Sequence, residues 1–397
     1  MCHANDKGDY RKMNILYYLH QFPAIGGIET VTVVLSNYFV LQGHNVTIVS
    51  HIEKGLLGSG QTLDPRVIVL HMPDIDRVSP RNIAFLQATI RDRKIDVVVF
   101  QDSYAQIEAN LFVDDLKVPV VTCEHSAPYV GVVRLGYYAG FKGRLRMLFR
   151  PYIEWRHLMR ERRRRRFLYD QSAKYVLLSN RFFGEFRVIT GLIDIRKLTA
   201  IPNASSCASN IDCSNKNNEI VFIGTLDYLK GCDMLIADWK LLADKHSEWS
   251  LTIVGDGIEC TRLRSLAEGA RNITFVGYQS NPQPYFARAK IFAFPSRREG
   301  WGLVLVEAMA NGCVPVAFDS FGAVHDIIDE GRNGIIVPAF DLDCYAAALK
   351  SLMANPDKLS AMQSAAKAKI TEFTIEKVAA KWETMFSEIV KGDLCRV

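Results

Sequence analysis

The stretch KIFAFPSRREGWGLVLVEAMANGCVPVAF, residues 290–318, holds one complete unit of a fold. It begins with KIFAFPS (290–296), an apolar run closed by Pro295-Ser296, and ends with a second such run, CVPVAF (313–318). Short continuous apolar runs bounded by turn residues read as strands buried on both faces. Between them, Leu303 to Ala310 is apolar on every side, so it reads as a buried helix. Strand, helix and strand in this order form a parallel unit, the building block of a sheet covered on both faces. Two carboxylates interrupt the apolar pattern: Glu299 in the loop and Glu307 on the helix. A buried carboxylate needs hydrogen-bond donors to offset its lost hydration. Helical side chains lean toward the N-terminal end. Both carboxylates are therefore expected to aim at one small volume, with the backbone amides of residues 300–303 between them. Carboxylates accept well from paired sugar hydroxyls, and amides at a helix start favour a phosphate.

The same unit recurs outward from this stretch. Upstream strands of the first half are NILYYL (14–19), NVTIVS (45–50), VIVLH (67–71), DVVVFQ (96–101), VPVVTC (118–123) and KYVLLS (174–179). Ile28 to Leu41 repeats apolar residues at helical spacing and stops at Gly43, a C-terminal cap. A polar break, NASSCASNIDCSNKNN (203–218), reads as a linker. The pattern then restarts with EIVFIG (219–224), SLTIVG (250–255) and NITFVG (272–277), and after the opening stretch NGIIVP (333–338). The tail reads as helices through AMQSAAKAKI and EKVAAKWETMFSEIV. The fold class is therefore α/β, with two doubly wound domains facing a cleft. The expected division is residues 13–202, a linker at 203–218, 219–375, and a final helix at 376–397. In such sheets ligands bind outside the carboxyl ends of the strands, so the loops that follow strands matter most.

Composition agrees with a soluble globular protein: 397 residues, 49% hydrophobic and 23% charged, with a net charge of +5. No apolar run reaches membrane-spanning length and no secretory signal stands at the start, so a cytoplasmic location is expected. The polar leader MCHANDKGDYRK is expected to be disordered, with Met13 as an alternative start. The nine cysteines include no CxxC pair, which argues for reduced thiols and against a zinc site. The Asp-x-Asp of PDIDR (73–77) has no companion ligands, so no metal is expected.

Several strand-following loops suit a phosphorylated ligand. Gly26-Gly27 precedes a helix start and is either a tight turn or an anion-binding loop. Lys230-Gly231, after the strand 219–224, places an ammonium where it either reaches a phosphate or stays solvated. Asp256 in VGDGIE sits in another glycine turn near the same edge. His125, in VVTCEHSAPY, follows a buried strand and either contacts a reacting group or is an ordinary loop histidine. Glu124, Ser126 and Tyr104, with Gln101-Asp102, are candidates for the acceptor side.

The E-x7-E spacing around GWGL, the upstream Lys-Gly and the downstream GxxHDII…GRNGIIVP resemble family 4 glycosyltransferases of the GT-B fold. IPNAS (201–205) is similar to that family's interdomain linker. The resemblance implies last helices that cross back onto the first domain. It implies that Glu307 holds ribose hydroxyls and Glu299 a hydroxyl of the transferred sugar. Gly300, Trp301, Gly302 and Leu303 would offer amides to sugar and diphosphate, Lys230 would meet the diphosphate, and Gly26-Gly27 would close over it. His125 would stand near the reacting sugar. It implies retention of anomeric configuration, no metal and no bound cofactor, with a nucleotide-sugar donor as co-substrate. A UDP-sugar is favoured, with GDP-mannose as the alternative. One departure is Thr225, where the family commonly has an arginine; either Arg297 or Arg298 compensates or diphosphate binding is weaker.

From Lys142 to Phe167, eleven residues are Lys or Arg and only Glu154 and Glu161 oppose them. With Phe149, Tyr152, Trp155 and Phe167 interleaved, Arg162, Arg163, Arg164, Arg165 and Arg166 are read either as facing an anionic inner-membrane surface or as a solvated helix with arginine ion pairs. The acceptor expected there is a glycan or lipid-linked glycan of surface polysaccharide or lipopolysaccharide synthesis. Nucleic acid is not expected, since no nucleic-acid-binding motif accompanies the charge. Competing readings are a nucleotide-sugar epimerase or phosphorylase of the same plan, and a binding protein without turnover.

Overall fold

The computed structural model describes residues 11–53, 55, 57–58, 61–74, 79–101, 118–128, 150–205 and 216–394. Two sheets, every strand pair parallel, organise them. The first contains β1 (Asn14–Gln21), β2 (Asn45–Ile52), β3 (Ile68–His71), β4 (Val97–Phe100), β5 (Val120–Glu124), β6 (Lys174–Leu177) and β7 (Leu198–Ala200) in the order β3-β2-β1-β4-β5-β6-β7. The second contains β8 (Asn217–Ile223), β9 (Ser250–Val254), β10 (Ile273–Gly277), β11 (Ala289–Phe294), β12 (Val314–Phe318) and β13 (Ile335–Val337) in the order β10-β9-β8-β11-β12-β13.

The apolar runs read from the sequence all become strands. Only β7 lacked a signal: three residues, LTA, are too short for periodicity to register. Val97–Phe100 is buried at every position, as a strand covered on both faces requires. The opening unit folds as expected, with β11, the helix Leu303–Ala310 and β12 in succession. Residues 217 and 218, assigned above to the linker, already belong to β8, since Asn217 pairs with Ala289 of β11.

The chain reverses strand order twice, once beside β1 and once beside β8. β1 lies between β2 and β4, and β8 between β9 and β11. At such switch points successive crossovers run to opposite faces, leaving a crevice at the carboxyl ends.

The final helix, Ile375–Leu394, packs on the first sheet's side. Its Val378, Trp382, Met385 and Phe386 share one apolar core with Phe39, Val40 and Val46. The rings of Phe39 and Phe386 lie 6.1 Å apart. His44 Nε2 reaches Glu383 at 3.4 Å. Full burial of side chains this large contributes about 1.5–3 kcal/mol each, so the helix straps one half of the chain to the other.

Candidate active site

A cavity of about 600 Å³ opens at both switch points. The first sheet contributes His20 and Gln21 from the end of β1, Gln101 after β4, and His125 and Ser126 after β5. The second contributes Lys230 and Glu299, reached through the loops that follow β8 and β11. Two helix starts border it: Gly26 to Ile28 lead the helix Gly27–Leu41, and Gly302 to Val304 lead the helix Leu303–Ala310. The amides of a helix's first turn lack intrahelical partners and favour an anion.

Local chemistry fixes Lys230 in place. Asp227 caps a short turn, its carboxylate accepting from the Lys230 amide at 3.1 Å. Gly231 then takes a left-handed conformation, φ 69°, and a Cβ there would run into the Pro295 carbonyl. Arg297 ties the two loops together: its amide donates to the Leu229 carbonyl at 2.7 Å, and its guanidinium clasps Asp233 with two 2.8 Å bonds. Lys230 Nζ thereby meets Glu299 Oε1 at 2.6 Å. The same oxygen accepts from Ser296 Oγ at 2.9 Å. Neither side chain is sealed off: 27% of Lys230 and 13% of Glu299 remain exposed.

The two halves approach closely across the cleft. A Cβ on Gly300 would collide with the His125 carbonyl oxygen, and one on Gly27 would meet Leu303 Cδ1 at 3.3 Å. Arg298 donates to Glu185, and Arg181 Nε donates to Asp326 at 3.0 Å, so ion pairs flank the contact. Trp301 is buried beside Phe373, ring centroids 5.3 Å apart, with its indole Nε1 unpartnered.

His125 Nε2 lies 2.5 Å from Gln101 Oε1. Burial drives the His125 pKa down to about 4, against the opposing pull of Glu124. The imidazole is therefore neutral at physiological pH.

Glu29 lines the cavity and was not anticipated. Its carboxylate folds back over Gly26, close enough that a Cβ there would strike it. An acidic side chain at the third helical position commonly folds back in this way on its own helix start. Asn203, His20, His157, Glu161 and Arg164 also line the cavity. His20 ends a strand, so the carboxyl-end rule applied to LHQ could have found it. Asn203 sits in a segment that composition marks only as linker.

Other candidate residues lie apart from the cavity lining. Glu307 is half-buried on the helix and is not among the cavity-lining residues. Thr225 and Asp256 are exposed and do not line the cavity. Asp256 instead accepts from the Gly257 amide at 2.7 Å. Arg297 and Arg298, the residues expected to compensate for Thr225, are both paired with the partners just described. Glu124 is buried beneath the site rather than on the acceptor side. It accepts from Arg165 Nη2 at 2.5 Å and from the Tyr175 hydroxyl at 2.7 Å. Burial would raise its pKa, but the charge and hydrogen bonds of Arg165, joined by Arg164 and Tyr175, hold it below the usual carboxylate range. Ser126 does line the cavity. Tyr104 and Asp102 lie outside the described residues.

The arginine run divides rather than sharing one face. Arg165 is buried against Glu124 and Glu161, and Arg164 turns into the cavity while pairing with Glu161 at 2.7 Å. Arg162 is half-buried against Gly191. Only Arg163 and Arg166 are exposed, on the same stripe of the helix Arg150–Gln171 as Tyr152, Trp155, Arg156 and Arg160. With 3.6 residues per turn, five consecutive side chains must point around the whole circumference. Among the described residues no helix is long and apolar enough to cross a membrane, and no cluster of His, Cys, Asp or Glu could hold a metal ion.

Two family models match the chain: Glycosyltransferase Family 4 over residues 25–204 and Glycosyl transferases group 1 over residues 217–355. An uncharacterized glycosyltransferase of Haemophilus influenzae is 30% identical over 171 residues, 42% of this chain and 48% of that protein. The chain therefore spans about half the length of that relative. Among solved structures, TarM of S. aureus, in complex with Fondaparinux, alpha-GlcNAc-glycerol and UDP, superimposes with a TM-score of 0.72. It shares 13% identity, over 94% of this chain and 99% of TarM. HepE of Anabaena, in complex with UDP and glucose, gives a TM-score of 0.70 at 16% identity over 94% and 99%. Both likenesses speak to the fold, which is that of GT-B enzymes. With matching models on both halves and this fold, the chain belongs to the family 4 type of GT-B glycosyltransferases.

Proposed function

We propose that the protein transfers a sugar, with retention, from a UDP-sugar to a hydroxyl of a glycan or lipid-linked glycan in the synthesis of a surface polysaccharide or lipopolysaccharide. One observation carries the reading: the Lys230–Glu299 pair opens into a cavity bordered by two helix starts at two facing switch points. Breaking the anomeric C–O bond leaves negative charge on the diphosphate. Lys230 and the amides of Gly302 to Val304 stabilise it, and Glu299, once Lys230 turns to the phosphate, accepts a sugar hydroxyl. The close approach of Gly300 to His125 excludes water, which would otherwise compete with the acceptor. This division of labour asks nothing of a metal, so turnover in EDTA is expected to equal turnover in magnesium.

The acceptor enters from the first domain, past His125 and Ser126. The exposed stripe of Tyr152, Trp155, Arg156, Arg160, Arg163 and Arg166 is assigned to an anionic membrane surface on the cytoplasmic side, each cation contributing about 1 kcal/mol. Flotation with phosphatidylglycerol vesicles tests that part: replacing Arg156, Arg163 and Arg166 by Gln should abolish binding that the native chain shows.

The reaction is tested by incubating a panel of UDP- and GDP-sugars with lipid extracts and analysing both the product and the residual donor. A glycosylated acceptor formed by the native chain and lost in Glu299→Ala supports the proposal. Conversion of the donor to its epimer without an acceptor would replace it with the epimerase reading, and binding without turnover with the binding-protein reading.

A further inference from the structure

We infer that Gln101 is a positioning residue for His125, fixing the tautomer of its imidazole and adding an amide donor to the wall that a hydroxyl-bearing ligand meets. The inference rests on the proposed transferase reading only in its last clause.

Gln101 follows β4 and is fully buried, and its backbone amide donates to the Tyr18 carbonyl at 3.0 Å. Its side-chain oxygen can only accept, so the proton in the 2.5 Å contact sits on His125 Nε2. In a neutral imidazole that leaves Nδ1 as the lone-pair nitrogen. Two atoms are then left over. Gln101 Nε2 and His125 Nδ1 are both buried and neither has a hydrogen-bond partner. Both residues line the cavity. A buried donor or acceptor without a partner is costly, and one of each on the same cavity wall marks a place where a ligand supplies the missing groups. The pair offers one N–H and one lone pair. That set is complementary to a neutral hydroxyl-bearing molecule, in which oxygen accepts and O–H donates. It offers a cation or a carboxylate only half of what either would need. Leucine would fill the volume at position 101 and neither hold the imidazole proton nor supply the donor.

The charged and titratable groups around the dyad are His20 on β1, Glu29 on the helix 27–41, Glu124 on β5, His157, Glu161, Arg164 and Arg165 on the helix 150–171, and Lys230 and Glu299 from the second domain. None of them is hydrogen-bonded to the His125 ring, so Gln101 sets the tautomer.

The test uses the full chain labelled with 15N-histidine and long-range 1H–15N correlation at pH 7.5, with His125→Phe identifying the signal. The native chain should show the Nε2–H form, with Nδ1 unprotonated. Gln101→Leu should move His125 to the Nδ1–H form or a mixture, and Gln101→Glu, which keeps an acceptor, should restore the Nε2–H form. Melting curves of Gln101→Leu and Gln101→Glu no lower than that of the native chain guard against a folding defect. With a UDP-sugar turned over by the native chain, Gln101→Leu should lower kcat at least tenfold while changing the affinity for UDP less than twofold. A native Nδ1–H signal, or a tautomer unchanged in Gln101→Leu, overturns the inference. A native chain that turns over no nucleotide sugar overturns the transferase reading instead and leaves the tautomer result standing.

Discussion

Arg165 closes on Glu124 across 41 residues of chain, with Nη2 2.5 Å from Oε1 and both side chains buried. The pair joins the helix 150–171 to the end of β5, and so sets the floor beneath His125. Removing one partner of such a pair leaves an uncompensated buried charge, at a cost of about 3–5 kcal/mol. Arg165→Met should therefore destabilise the chain by that amount in urea unfolding. Arg163→Gln and Arg166→Gln, two residues or fewer away but exposed, should stay within about 0.5 kcal/mol of the native chain. Equal losses for all three would mean that the run does not divide as described.

His125 makes stability depend on pH in a definite direction. Its unfolded imidazole titrates near 6.5, its folded one at about 4. Between those values the unfolded chain binds a proton that the folded chain does not. Stability is therefore full above pH 6.5 and falls as pH drops through the window toward 4. His125→Phe removes this dependence. The native chain should lose about 2 kcal/mol more than His125→Phe between pH 7 and pH 4.5, read from unfolding curves at each pH.

Gly300 faces the His125 carbonyl with no room for a side chain. Gly300→Ala should hold the halves apart while leaving each core intact. A misplacement on the order of 1 Å in the reacting groups costs about a hundredfold in rate. The variant should lose that much turnover with an unchanged far-ultraviolet spectrum, and small-angle scattering should show a larger radius of gyration with UDP bound than the native complex has. A fully active Gly300→Ala would show that closure at this contact is not required.

Trp382 is buried where the last helix meets the first sheet's core. Trp382→Ala should cost about 3–5 kcal/mol, measured by thermal or denaturant unfolding. A change under 1 kcal/mol would mean the helix is not a strap.

The two-sheet plan was legible because strands buried on both faces, such as VVVF at 97–100 and IVF at 220–222, leave continuous apolar runs between polar loops. Lys230 and Glu299 were legible for a related reason: each is a charge set among glycines just after such a run. What the sequence hid is direction. Glu307 is only half-buried on a helix whose flanking residues are apolar, and its pattern does not say which way it faces. Arg164 and Arg165 look like their neighbours in a row of five, and only helical rotation sends them inward to Glu161 and Glu124. Gln101 needed a partner 24 residues away before its amide acquired a role. Thr225 stands where the resemblance leads one to expect an arginine, but no local pattern tells that Arg297 and Arg298 are already engaged.

The central claim is that Lys230, beside the amide-rich start of the helix 303–310, receives the diphosphate of the donor. Isothermal titration of UDP into the native chain and into Lys230→Gln tests it most directly. A charge-assisted hydrogen bond is worth about 1.5–3 kcal/mol, so Kd should rise roughly 10- to 100-fold in the variant, with melting unchanged without ligand. Equal affinity of the two proteins for UDP would contradict the account.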